Sequence, residues 1–413
     1  MFVQIHMLQS MPPGNLNRDD TGQPKKCLFG GTTRGRISSQ CLKRNMRLSP
    51  LFQEAFGGAV ANRTKYLPRL VADALLANGR VPEDEIEGVK AGIAGQFKKE
   101  AKGDSDGEES GEDRNDGAAD TTPQLVFFPP PFAEKVADLV VELKKRHPKA
   151  YGKLIGRKEK RSKEEDKEAD AAIAQFKSAA FKAKESMSVD VALFGRMTTS
   201  DLIADVEAAC QVAHAISTHE ALVEGDYFTA MDDRQHEFVT SQTAGGGAAF
   251  LGSGDTVTFF NSGVFYKYLN VDTDELGKTL GGAGAAHSRK AAAVLLQAAA
   301  LATPTGKQNS FAAHSVPEFI LVEVSSKKRP ISYANAFLEA VQGQDLMRES
   351  AQALNDYCGS IAAAYAPADV QRFVLAVGSA AQAPFAFDAS RVKTLEELAA
   401  AVEKASAVAA GAA

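Results

Sequence analysis

The chain has 413 residues, 44% of them hydrophobic, and a formal net charge of −5. That length allows two or three domains with a packed core, and the mild negative charge excludes indiscriminate coating of nucleic acid. Four cysteines without a CxxC pair, and no secretion signal, indicate reduced thiols in a cytoplasmic protein. The most apolar run, residues 291–302, is too short to span a bilayer, so no membrane association is expected.

A strand is predicted at residues 2–8, and a strongly basic segment follows it. Residues 25–47 hold no acidic residue, and we expect the glycines Gly30, Gly31 and Gly35 to let the backbone approach a ligand closely. The segment has seven basic residues: Lys25, Lys26, Arg34, Arg36, Lys43, Arg44 and Arg47.

The basic segment ends in a predicted helix that begins near Gln40 and ends at Pro50. Ser38 and Ser39 can cap it, and its apolar pair Leu42 and Met46 should face the core. We expect unpaired amides, the two serine hydroxyls and a cationic stripe to face outward, where they suit phosphate oxygens. The missing counter-charges favour a polyanion site over a solvated surface helix. The outward stripe comprises Gln40, Lys43, Arg44 and Arg47.

Residues 57–186 are predicted to be mainly helical, with helices at 66–77 and 132–143. Residues 103–120 contain eight acids and four glycines, a composition typical of a disordered tether. Residues 144–167 hold eleven Lys or Arg against four acids. This stretch is either a solvated helical face or a second, looser contact to nucleic acid.

From Ser188 the pattern favours strands. Alternation of Val189, Val191 and Leu193 predicts a strand leading into a turn that presents Arg196 and Met197. Residues 206–218 are ambiguous: the first half has helical spacing, and AHAIST alternates. Residues 225–264 predict a long hairpin with a Gly-rich tip.

The remainder alternates irregularly between strands and helices. Strands are predicted at 264–271, 318–325 and 370–377, a helix at 285–302, helices over 333–365, and a last helix from Thr394. The fold class predicted is α+β with an antiparallel sheet. Helices on one face of such a sheet are typical of the common RNA-recognition modules.

Catalytic and metal-binding signatures are not found in the sequence: it has no Walker A, HExxH, EF-hand or GxSxG pattern. One cluster suggests a metal site, but its spacing matches no site of derivable geometry, so we favour structural histidines and predict no cofactor and no metal. The cluster comprises His214, His219, Asp226, Asp232, Asp233 and His236.

Long blocks of the chain resemble one known family. LNRDDTGQPKKCLFGGTTRGRISSQCLKRNMR is similar to the N-terminal signature of the CasC family, the backbone (crRNA-binding) subunit of type I-E CRISPR Cascade complexes. The resemblance continues in VDVALFGRMTTS, VAHAISTHEAL, DYFTAMDD, NSGVFYKY, GKQNSFAAH and SYANAFLEAV.

The resemblance implies a division into palm, fingers and thumb. It implies a modified RRM/ferredoxin-like palm at 1–57 and 187–393 and a helical fingers domain at 58–186, which carries the acidic linker. A thumb hairpin would occupy 226–262, and a C-terminal helix with an Ala-rich tail 394–413.

The resemblance also implies a role without catalysis. Several copies would assemble along a CRISPR guide RNA with other Cascade subunits and present the guide for pairing with target DNA in antiviral defence. The alternative is an RNA-processing endonuclease on a similar sheet, using His214, His219 or His236. The positions that match RNA-binding residues of the family are Arg18, Ser38, Ser39, Gln40, Lys43, Arg44 and Arg47 (guide backbone), Met197 (a wedge beside a displaced base), Tyr227 and Phe228 (an aromatic pair at the thumb's base), and Lys307 and Gln308 (a further backbone-contacting loop).

Overall fold

The computed structural model describes residues 1–56, 60–98, 119–129, 131–181, 187–198, 202–227, 230–231, 248–249, 257–281, 284–365 and 369–408. The chain divides into two compact units. The sheet unit comprises residues 1–52, 210–274 and 285–413, and the helical unit comprises residues 53–209 and 275–284.

The strands are β1 (Phe2–Gly14), β2 (Lys26–Phe29), β3 (Thr32–Ile37), β4 (Asn62–Thr64), β5 (Val126–Phe128), β6 (Cys210–Val212), β7 (Ala215–Ser217), β8 (Glu224–Tyr227), β9 (Ala230–Met231), β10 (Ala248–Ala249), β11 (Val257–Asp272), β12 (Phe319–Ser325), β13 (Gln371–Ala376) and β14 (Ser390–Arg391).

The helices are α1 (Ser39–Leu48), α2 (Pro50–Phe56), α3 (Leu67–Ala77), α4 (Glu83–Lys98), α5 (Phe132–Arg146), α6 (Pro148–Leu154), α7 (Lys163–Phe181), α8 (Val189–Phe194), α9 (Thr273–Leu280), α10 (Gly284–Leu301), α11 (Gln308–Phe311), α12 (Leu346–Tyr365) and α13 (Leu395–Val408). Short 3-10 helices in the described part of the chain cover Ala334–Phe337 and Gly378–Gln382.

The large sheet of the sheet unit has the strand order β14-β13-β12-β1-β11-β7-β3-β2, and β6 and β8 also pair with β11. Among the described strands of this sheet, every pairing is antiparallel except that of β13 with β14, so the predicted α+β class holds for a sheet with one parallel edge pair. The predicted strands at 2–8, 264–271, 318–325 and 370–377 are confirmed, and β1 and β11 are longer than predicted.

Helices pack on both faces of this sheet, whereas the sequence suggested one. Tyr266 and Tyr268 of β11 join a buried cluster with Leu354 of α12. Lys267 points to the opposite face, because side chains alternate along a strand, and its ammonium donates to the carbonyl of Ala299 in α10. The predicted helices at 285–302 and from Thr394 are confirmed as α10 and α13.

The helical unit has a core formed by α3 to α7 and the β4–β5 pair. Its fully buried side chains include Leu75 of α3, Val89 and Ile93 of α4, and Val136 and Val140 of α5. The predicted helices at 66–77 and 132–143 are confirmed. Within the described ranges, no helix is both long and apolar enough to cross a membrane.

The strand predicted at residues 189–193 is wrong, because these residues form α8. Every side chain from Val189 to Leu193 is buried, including Asp190, which accepts a hydrogen bond from the Ala61 amide at 2.9 Å. With all sides buried, alternation of apolar residues does not distinguish a strand from a short helix. Residues 206–218, which the sequence left ambiguous, are extended: Val206 forms a β-bridge with Arg196, and β6 and β7 follow.

The basic stretch at 144–167 is extensively paired within the helical unit. Lys144 and Arg157 both bind the carboxylate of Glu85, and Lys153 lies 2.9 Å from Asp170. Further pairs are Arg146–Glu142, Lys149–Glu165 and Arg161–Glu159. This pairing favours the solvated helical face over a loose contact to nucleic acid. Residues 103–118 of the acidic stretch lie outside the described residues.

Candidate nucleic-acid interface

The start of α1 is built as the sequence predicts, with Ser38 as its cap. The Ser38 hydroxyl accepts a hydrogen bond from the Cys41 amide at 3.3 Å, and the Asn17 side-chain carbonyl accepts one from the Ser38 amide at 2.8 Å. Ser38 is buried, so its hydroxyl faces the helix end and not solvent. The expected outward-facing Ser38 hydroxyl is therefore wrong: the cap uses it internally.

His214 accepts a hydrogen bond from a second backbone amide at this helix end, that of Ser39. Its Nδ1 lies 3.3 Å from the Ser39 amide nitrogen, which donates to it, and 3.4 Å from Nη1 of Arg36. Burial, followed by the charges of Arg36 and Lys25, lowers the pKa of His214. The helix end thus has fewer unpaired amides than the sequence suggested, and anion binding there must depend on side chains.

The outward face of α1 carries the predicted polar stripe. Leu42 and Met46 are 7% and 3% exposed and pack inward. The opposite stripe has exposed Gln40 and Arg44, with half-buried Ser39, Lys43 and Arg47. This arrangement matches the helical spacing, because the two sets lie on opposite sides of the helix.

A groove of about 540 Å³ runs beside α1 and is lined by Arg18, Arg44 and Gly306, among others. Asp19 also lines it, but Oδ1 of Asp19 accepts hydrogen bonds from the Thr21 amide and hydroxyl and from the Gln23 amide. The Thr21 hydroxyl contributes most to a lowered pKa of Asp19. This carboxylate therefore holds its own loop together, next to Arg18.

The loop with Lys307 and Gln308 reaches the same groove. A Cβ on Gly306 would lie 2.6 Å from the carbonyl oxygen of Leu16, so only glycine permits this close approach of the two main chains. Lys307 adopts φ 52° and is exposed, whereas the Gln308 amide donates to the Pro304 carbonyl at 2.9 Å. Lys307 is thus presented outward, and Gln308 braces the loop.

Arg34 differs from the other basic residues of the segment because it is 0% exposed. Its guanidinium donates to the carbonyl oxygens of Thr218 at 2.7 Å and of Phe337 at 2.9 Å. Arg34 therefore stabilises the sheet unit and does not form part of an exposed cationic surface. In the sequence, Arg34 belongs to the same basic run as the exposed cations, so its burial is not predicted.

Gly30 and Gly31 form the two-residue turn of the β2–β3 hairpin, with φ values of 58° and 81°. A Cβ on Gly30 would lie 1.6 Å from the Leu338 carbonyl oxygen. The close approach expected of these glycines is thus to the protein's own backbone. This hairpin is absent from the sequence-based predictions, although a Gly-Gly pair between short strands is a recognised signal for one.

Met197 lies in the helical unit and is 92% exposed. The turn that carries it is fixed by Arg196, whose guanidinium donates to the carbonyls of Ala204 at 2.9 Å and Phe127 at 3.3 Å. The prediction that the turn presents Met197 is confirmed, whereas Arg196 serves to hold the turn.

Tyr227 ends β8 opposite Val257 of β11 and is 56% exposed. In a separate two-stranded pair, Met231 of β9 lies opposite Ala248 of β10. Phe228 and residues 232–247 and 250–256 of the predicted hairpin lie outside the described residues.

The suggested metal cluster is only partly within the described residues, since Asp232, Asp233 and His236 lie outside them. His219 braces the sheet unit: its Nε2 accepts from the Val264 amide at 3.1 Å, and its Nδ1 lies 2.7 Å from the Glu220 carbonyl oxygen. In the part of the chain that the structure describes, no three His, Cys, Asp or Glu side chains are grouped to hold a metal ion.

Comparison with known proteins places the chain in a family. The sequence profile described as CT1975-like protein (Cas_CT1975) matches residues 3–401. A chain of a solved structure named "CRISPR RNA-guided surveillance complex, pre-nicking" is 29% identical, with a TM-score of 0.76, and the match covers 98% of this chain and 100% of that one.

A chain from a "CRISPR RNA-guided surveillance complex" is 24% identical, with a TM-score of 0.54 and coverage of 97% and 99%, and supports the shared fold. No curated protein matches this sequence. Because the family profile spans almost the whole sequence, the chain belongs to the CT1975-like protein family and shares its fold with chains of CRISPR RNA-guided surveillance complexes.

Proposed function

We propose that this protein is the non-catalytic backbone subunit of a type I-E Cascade complex and binds the sugar–phosphate backbone of a guide RNA. The observation that carries the proposal is the groove beside α1. It brings Arg18, Arg44 and the loop that presents Lys307 together from three separate parts of the sequence. Cations gathered in this way suit the phosphates of a single strand.

Binding of this kind is independent of guide sequence, because phosphate contacts position a strand without reading its bases. The bases stay available, and their pairing with target DNA supplies the specificity, as in other RNA-guided systems. The same proposal includes the palm, fingers and thumb divisions expected from the CasC resemblance. It also includes assembly of several copies along one guide and contacts with other Cascade subunits in antiviral defence.

Replacing Lys43 and Arg47 together by alanine is expected to weaken guide binding in a salt-dependent manner. For each phosphate of the single strand that the variant no longer neutralises, the slope of log K against log [salt] should become shallower by about 0.7. The measurement is fluorescence anisotropy with a labelled single-stranded guide RNA across a salt titration.

Pure protein incubated with repeat RNA, with and without Mg²⁺, should show no cleavage.

The matched control is the double replacement of Lys393 and Lys404 by alanine, which removes two exposed lysines near and within α13. This variant should keep the parental slope. If the Lys43 and Arg47 variant retains parental affinity and slope at every salt concentration, α1 does not bind the guide.

Replacing Tyr227 and Phe228 by alanine should leave the subunit folded and lower target-DNA binding of the assembled complex by about tenfold, because stacking on an aromatic ring is worth about 1–3 kcal/mol per base. The Tyr227 side chain is 56% exposed at the end of β8. Tyr365→Ala, which removes another exposed tyrosine, is the control. Unchanged target affinity in a folded variant would contradict the role.

A further inference from the structure

We propose that His214 is an additional guide contact, whose Nε2–H donates a hydrogen bond to a phosphate oxygen of RNA lying along α1. The inference rests on the proposed function. It adds an uncharged hydrogen-bond donor to the cations that contact the guide backbone. None of the positions matched to the CasC family's RNA-binding residues is His214.

The position of the ring proton follows from the contacts of Nδ1. That nitrogen faces two donors, the Ser39 amide at 3.3 Å and the Arg36 guanidinium at 3.4 Å, so it acts as the acceptor. A neutral imidazole has one donor and one acceptor nitrogen, and its proton therefore lies on Nε2. Nε2 of this exposed side chain has no hydrogen-bond partner among the described residues.

The surroundings of His214 favour the neutral form of the ring and carry positive charge that attracts a polyanion. Burial, then Arg36 and Lys25, lowers the pKa of His214, which favours the uncharged form at neutral pH. The same two cations extend the positive surface from α1 toward β3. His214 lies between α1 and β3, because its Nδ1 accepts a hydrogen bond from the Ser39 amide at the start of α1. The neighbouring Ser38 hydroxyl accepts from the Cys41 amide within the helix cap.

The competing possibility is that His214 serves only to hold the start of α1. Two substitutions separate the roles of the two ring nitrogens. In His214→Asn the side-chain oxygen can replace Nδ1 as the acceptor for Ser39, but the shorter side chain places no donor at the position of Nε2. In His214→Gln the side-chain NH2 can replace the Nε2–H donor, but no acceptor remains at the position of Nδ1.

The test measures binding of the full-length variants to a labelled oligouridine across a salt titration, with thermal unfolding of each protein. His214→Asn should bind about tenfold more weakly than the parent, with the parental melting temperature, because it cannot make the hydrogen bond to a charged group. Its salt slope should stay parental, because a neutral donor neutralises no phosphate. His214→Gln should bind within about threefold of the parent and melt earlier.

Parental affinity of a folded His214→Asn, or a tenfold loss in a folded His214→Gln, would overturn the inference while leaving the proposed function intact. If His214→Asn does not fold, the His214→Gln result decides alone in the same way. If the parent protein itself fails to bind oligouridine and guide RNA, the proposed function fails, and the inference fails with it.

Discussion

Arg34→Ala is expected to lower the free energy of unfolding by about 3–5 kcal/mol, because it removes a fully buried side chain together with its hydrogen bonds to several buried carbonyl oxygens. The guanidinium donates to Thr218 at 2.7 Å, to Ser217 at 3.2 Å and to Phe337 at 2.9 Å, while Nε donates to the Thr32 hydroxyl at 2.8 Å. One side chain thus joins β3 to β7 and to the 3-10 helix at Ala334–Phe337.

The measurement is chemical denaturation of the full chain, with Arg36→Ala as the matched control. Arg36 lies two residues further along the same strand but is half-exposed, so its removal should cost about 0.5 kcal/mol or less. Arg34→Lys keeps the charge but not the planar fork, and it should also destabilise the protein. Equal stabilities for the Arg34→Ala and Arg36→Ala variants would contradict the structural role of Arg34.

This pair of arginines shows where the sequence is informative and where it is not. The cap, the helical spacing and the polar stripe of α1 are local properties, and they predicted the helix and its outward face. Arg34 and Arg36 belong to the same basic run, and nothing near them in the sequence separates their roles. Their burial differs because segments near residues 217 and 337, far along the chain, close over Arg34 only.

Other differences between the sequence predictions and the structure also have physical causes. The pattern around Val191 predicts a strand wrongly, because a short run that is buried on all sides has no distinguishing period. His214 could be found only as a histidine in an unexplained cluster, since its contact with Ser39 joins residues 175 positions apart. The groove beside α1 likewise needs the loop at Gly306, which the sequence placed in the site only through family resemblance.

Lys267→Met is expected to stabilise the protein near neutral pH. Lys267 is 4% exposed on β11, and burial lowers the pKa of its ammonium from 10.5 to about 7. Its Nζ donates to the Ala299 carbonyl at 2.7 Å, a neutral partner that does not offset the loss of hydration. Methionine fills a similar volume without a charge.

The size of this gain should depend on pH. The unfolded chain keeps the proton up to about pH 10.5 and the folded chain only up to about pH 7, so the free energy of unfolding rises with pH between these values, by up to about 1.4 kcal/mol per pH unit. Below pH 7 both states are protonated, and the full cost of burying the charge applies. After subtraction of about 1 kcal/mol for the missing Ala299 hydrogen bond, Lys267→Met should gain about 3 kcal/mol at pH 7 and almost nothing at pH 10.

Chemical denaturation of parent and variant at several values between pH 7 and pH 10 measures this difference. Lys404→Met, at an exposed position on α13, should leave the parental pH dependence unchanged. A difference between parent and Lys267→Met that is the same at pH 7 and pH 10 would show that Lys267 keeps an ordinary pKa in the folded chain. The buried ammonium would then have to be hydrated or paired, because an unpaired charge at this depth cannot keep its solution pKa.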